Sequence, residues 1–67
     1  MIDIIVNGEP RQVPADANIR KLVEILGHTD RRIAVERNGE IVPKSLHGDT
    51  LLAAGDKLEI VVAVGGG

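Results

Sequence analysis

Few side chains in this chain could do chemistry. His28 and His47 are its two imidazoles, and neither has a second histidine or a cysteine at metal-ligand spacing. Both fall in loop-like stretches and are expected to be solvated. Ser45 has no base nearby except His47, two residues away, which is thin support for a nucleophilic dyad. Asp49 and Asp56 stand beside Gly48 and Gly55, where carboxylates cap turn amides, so they do not read as a catalytic pair. The glycine run follows a strand and precedes no helix, which excludes a phosphate-binding loop.

What remains is the α-carboxylate behind Gly65-Gly66-Gly67. Three residues without Cβ make an arm that extends roughly 10 Å and can enter a narrow channel in a partner. A free carboxylate is a poor electrophile. It needs activation, for example as a mixed anhydride with AMP, before a sulfur or nitrogen nucleophile attacks its carbonyl. On this reading the folded part is a handle and a second protein supplies the catalysis. The chain itself is then no enzyme. Terminal glycines also read as a frayed end, and on their own they do not decide between the two.

The composition narrows the options further. The 67 residues carry 8 Lys+Arg against 10 Asp+Glu, no cysteine and no aromatic residue. That rules out disulfides, zinc–thiolate sites and aromatic platforms for stacking bases, and the missing basic excess argues against nucleic-acid partners. No apolar run approaches the roughly 20 residues of a membrane helix, and no signal peptide is legible. A cytoplasmic mini-domain with neither nucleic-acid nor membrane partners is expected.

The elements that must position the tail follow from periodicity. Residues 2–6 are β-rich and lead into Asn7-Gly8, a strong signal for a type I′ hairpin turn, and residues 9–14 return with Val13 facing inward. Pro10 and Pro14 place that strand at an edge. Asn18 reads as the N-cap, with Asp16 as the alternative start, of a helix whose Ile19, Leu22, Val23 and Leu26 form one apolar stripe, closed at Gly27. Residues 33–37, Asn38-Gly39 and residues 40–43 repeat the hairpin pattern. Residues 44–55 are irregular, with room for a single helical turn and with Leu46, Leu51 and Leu52 expected in the core. Residues 57–64 form the last strand. The expected fold is α+β: a mixed sheet of four to five strands with one helix across one face, the first and last strands side by side.

Alternation in those two strands turns Ile5, Val61 and Ala63 away from the helix, rimmed by Asp3, Glu36 and Glu59. Such a cluster reads either as ordinary surface or as a partner-docking patch.

The element order, the segment Val35-Glu36-Arg37-Asn38-Gly39-Glu40-Ile41-Val42-Pro43, Gly55-Asp56 before the last strand and the closing Val64-Gly65-Gly66-Gly67 together resemble the sulfur carrier proteins of thiamine biosynthesis. These form the ThiS family of the ubiquitin-like β-grasp superfamily, and the resemblance covers essentially the whole chain. It implies a β-grasp domain over residues 1–64 and a glycine tail over residues 65–67. It further implies that an ATP-dependent adenylyltransferase of the ThiF type adenylates the Gly67 carboxylate while Gly65 and Gly66 thread its channel. Sulfur from a persulfide protein then replaces AMP, and a thiazole synthase of the ThiG type takes sulfur from the resulting thiocarboxylate. No bound cofactor is implied, since the activating partner uses the ATP. Many relatives end after two glycines, and in a chain ending there the reactive group would be Gly66. The molybdopterin-synthase small subunit, carriers for other sulfur pathways, a ubiquitin-like modifier and a non-covalent binding module are the other readings.

Overall fold

The computed structural model describes residues 1–28 and 32–62. Strand β1 (Ile2–Val6) pairs antiparallel with β2 (Glu9–Val13), in register from Ile2 opposite Val13 to Val6 opposite Glu9. The Asn7-Gly8 turn between them has φ of 50° and 81°. Positive φ at both central residues matches the right-handed twist of the flanking strands and selects asparagine followed by glycine. The same solution recurs between β3 (Ile33–Arg37) and β4 (Glu40–Val42), where Asn38 and Gly39 have φ of 52° and 86°.

Helix α1 (Ile19–Ile25) begins at Asn18, whose Oδ1 accepts a 2.7 Å hydrogen bond from the Lys21 N–H. It ends in a Schellman arrangement: the His28 N–H donates to the Val23 carbonyl and the Gly27 N–H to that of Glu24. Ile19, Leu22 and Val23 are buried, as their spacing requires, and Leu26 packs against them half-buried. A single 3₁₀ turn spans Lys44–Leu46, and β5 (Lys57–Val62) completes the sheet. The expected continuation of this last strand through Ala63 and Val64 falls outside the described residues.

The five strands run in the order β2-β1-β5-β3-β4. Strand β5 lies parallel to β1 and antiparallel to β3, so the first and last strands are neighbours at the centre, as expected. Helix α1 covers one face. Between them Ile4, Val13, Val35 and Leu58 are each no more than 1% exposed, while Ile19 and Leu22 are fully enclosed. With no aromatic bulk, the core depends on close interlocking of branched aliphatic groups.

Two of the three leucines expected inside lie on the surface. Leu51 is 62% exposed and Leu46 is 47% exposed, whereas Leu52 is buried. Leu51 bridges to Asn18 in locally extended backbone, where successive side chains point to opposite sides, so only one of Leu51 and Leu52 can enter the core. Leu46 sits on the outer side of the 3₁₀ turn. Both edges of the sheet resist strand addition: β2 carries Pro10, and on β4 the Val42 carbonyl is already bonded to His47 and is followed by Pro43.

Leu22→Ala should cost about 2–5 kcal/mol, the range for deleting an enclosed leucine, and so should unfold most of so small a domain. Urea denaturation followed by circular dichroism reads this directly; a midpoint close to that of the unaltered chain would show that α1 does not anchor the core.

Candidate functional site

The candidate site is the C-terminal end of β5, the described strand that precedes the glycine tail in sequence. The lateral support of β5 is uneven. It pairs with β3 over five residue positions, Ile33 opposite Val62 to Arg37 opposite Leu58, but with β1 only through Ile5–Val6 and Lys57–Leu58. Asparagine side chains make up the difference. Asn7 reaches from the first turn to Ile60, accepting its N–H at 2.8 Å and donating to its carbonyl at 3.1 Å. Asn7 thereby occupies a ladder position beyond the point where β1 ends.

Asn38 does the same from the second turn. Its Oδ1 accepts the Lys57 N–H at 2.9 Å and its Nδ2 donates to Asp56 at 3.1 Å, while its own N–H donates to the Lys57 carbonyl. Asn18 also uses both ends of its amide, capping α1 and donating to the Gly48 carbonyl at 3.0 Å. An amide, unlike a carboxylate, supplies an acceptor and a donor from one planar group, which accounts for asparagine rather than aspartate at these places. Sequence reading finds the two turns from Asn-Gly but not these long-range bonds, for which the residue type at a turn is the only signal.

Asp56 joins the second turn to β5. It is 6% exposed and accepts from the Ala53 N–H at 2.8 Å, from Arg37 Nε at 2.9 Å and from Asn38. Burial is the largest single influence on its carboxyl group and pushes its pKa up. The bonds from Ala53, Asn38 and Arg37, with the Arg37 charge, together outweigh burial and leave the pKa below its ordinary value of 3.8. Asp56 is thus the turn cap expected from sequence, with an ion pair added.

The histidines depart from expectation. His47 is buried, 6% exposed, and its Nε2 lies 3.0 Å from the Val42 carbonyl. A carbonyl only accepts, so Nε2 carries the proton. The 3₁₀ turn folds the loop inward and carries the ring with it, which no local pattern announces. His28 is half-buried and lines the same cleft of about 210 Å³ as His47, together with Arg20, Glu24 and Lys44. No group of three side chains able to hold a metal occurs among the described residues. Ser45 and Asp49 are both exposed.

Of the expected docking residues, Ile5 and Val61 both lie on the sheet face away from α1, Ile5 half-buried and Val61 61% exposed. They do not meet. Ile5 stands opposite Lys57 and Val61 opposite Ala34, four residues apart along β5, or roughly 13 Å at strand rise. The separation follows from β1 ending beside the start of β5. Ile41 of β4, 73% exposed and opposite Glu36, shares this face and is not among the expected patch residues. Ala63, Gly65, Gly66 and Gly67 lie outside the described residues. Among the described residues, no helix is long and apolar enough to cross a membrane.

A five-stranded mixed sheet with a parallel central pair and one helix across a single face is the ubiquitin-like β-grasp. Residues 4–67 match the ThiS family profile, and the chain belongs to that family. The crystal structure of the thiamine biosynthesis protein ThiS from Geobacter metallireducens superposes with a TM-score of 0.83 at 29% identity, covering 98% of this chain and 100% of that one. A thiazole synthase of Paramagnetospirillum magneticum is 47% identical over 64 residues, 96% of this chain. The chain spans 20% of that protein's length. The ycf40 protein of Pyropia yezoensis is 38% identical over 66 residues, covering 98% of this chain and 93% of that protein.

Because folding lowers the Asp56 pKa, its contribution to stability is complete above 3.8 and is lost as pH falls through the folded value. Asp56→Ala should cost about 3 kcal/mol at neutral pH, the lower part of the range for removing one partner of a buried pair, since Arg37 is partly exposed. The variant's stability should also depend less on pH below about 4 than that of the unaltered chain. Urea midpoints measured from acid to neutral pH test both; parallel pH curves would show that Asp56 contributes no linked proton.

Proposed function

We propose that this chain carries sulfur as a thiocarboxylate at its C-terminal glycine and delivers it to a thiazole synthase. The observation that carries the proposal is the family match running through the final glycines to residue 67. The kinship with proteins named thiazole synthase, in which the matching region is a fifth of a longer chain, supports the choice of acceptor.

The chemistry divides between the carrier and its partners. The Gly67 carboxylate attacks the α-phosphate of ATP within an adenylyltransferase, releasing pyrophosphate and forming an acyl adenylate. The terminal sulfur of a protein persulfide displaces AMP to give an acyl disulfide. A thiol then attacks the persulfide donor's sulfur, closing a new disulfide and freeing the thiocarboxylate. That group is a nucleophile toward an electrophilic carbon in the thiazole synthase. None of these steps requires an acid, base or metal from this chain.

The chain contributes placement. Gly65 and Gly66 give Gly67 a passage without side chains into the partner's site, and Asn7 and Asn38 hold β5, the strand that precedes the arm in sequence. The sheet face bearing Ile5 and Val61 is the docking surface that brings the arm to the channel.

A chain ending at Gly65 tests the role of the last two residues. In ATP–pyrophosphate exchange with the host's adenylyltransferase it should lose about 100-fold or more in rate, the scale of loss when a reacting group is misplaced. Its melting temperature should stay that of the full chain. Exchange at an equal rate would overturn the proposal.

A further inference from the structure

We infer that Glu36 and Glu59 together form a receptor for an arginine of the activating partner, framed by apolar surface. The inference rests on the carrier reading above and names the feature by which its docking face selects a partner.

Glu36 on β3 stands directly opposite Glu59 on β5. Their chain neighbours Val35 and Ile60 are buried, which turns both glutamates onto the face away from α1. Cross-strand side chains in direct register have Cβ atoms about 4.5–5.5 Å apart, and like charges so placed destabilise a sheet. Among the described residues neither carboxylate takes part in an ion pair within 4.0 Å; the ion pairs there are Lys21–Glu24 and Arg37–Asp56. Lys57 lines the same open cleft of about 340 Å³ as the two glutamates without pairing to either. The free domain therefore retains a repulsive pair at the middle of its most regular strand pairing.

Apolar groups bracket that pair. Ile41 lies opposite Glu36 on the β4 side, 73% exposed, and Val61 lies two residues beyond Glu59, 61% exposed and opposite Ala34. Two carboxylates with hydrocarbon on either side fit a guanidinium. Its planar fork of donors can serve both acceptors at once, and it sheds water beside apolar groups more readily than an ammonium does. Asp3 on the same face adds to the negative field, so the face complements a basic partner. A second copy of this chain is a poor occupant: a two-fold contact through this face would oppose the glutamate pair with itself.

Glu36→Gln, Glu59→Gln and the double variant test the inference in two measurements. Thermal unfolding should show every variant melting at or above the temperature of the unaltered chain, since the change relieves repulsion. In pyrophosphate exchange with the host's adenylyltransferase, each single variant should raise the KM for the carrier about tenfold with kcat unchanged, the usual scale for losing a charged contact. An unchanged KM in the double variant would overturn the inference, as would sedimentation showing a dimer that the double variant dissolves. Failure of the unaltered chain to support exchange would instead remove the carrier reading, and this inference with it.

Discussion

The structure depends on keeping β5 fixed between two hairpins that would otherwise grip it unequally. The β3 side supplies a five-position antiparallel ladder, while the β1 side supplies a parallel pairing of two positions. Parallel pairing is slightly the weaker kind per residue, and here it is also short. Asn7 extends it by a two-point bond to Ile60, and Asn38 with Asp56 locks the opposite end of the strand. A sheet of aliphatic residues with no disulfide and no aromatic anchor has little cohesion to spare, so directional bonds from turn residues set the strand's position.

No catalytic constellation is assembled from the histidines, serine or carboxylates among the described residues. His47 is committed to the Val42 carbonyl, Asp56 to a turn, and Ser45 and Asp49 are exposed. His28 shares a cleft with His47 but makes no side-chain bond to it. The proposed function asks nothing of these side chains, since it places the reacting group on the backbone.

The elements were legible in the sequence because each is specified locally. Two Asn-Gly pairs fixed both hairpins, the Ile19, Leu22, Val23 stripe fixed the helix and its buried face, and Asn18 fixed its start. The central parallel pair followed from the need for a continuous sheet. What the sequence concealed depends on contacts between distant residues. The bonds from Asn7 to Ile60 join positions 53 apart, and the burial of His47 depends on how a loop without periodicity folds beneath the sheet. Leu46 and Leu51 are as apolar as Leu52, and only the backbone direction assigns one of the three to the core. The proposed docking face shows both sides of this: alternation turned Ile5 and Val61 outward, as the structure has them, but their separation is a matter of register, which alternation does not encode. The terminal glycines were conspicuous in sequence, and the role proposed for them follows from chemistry and kinship.

The central claim is that the C-terminal acyl group of this chain is where sulfur is carried. It is tested most directly by intact-mass spectrometry of the protein after incubation with the host's adenylyltransferase, ATP and a persulfide donor, followed by fragmentation of its C-terminal peptide. The account predicts a mass increase equal to the difference between sulfur and oxygen, located on the last glycine. An unaltered mass with an enzyme known to be active, or a sulfur placed elsewhere in the chain, would contradict it.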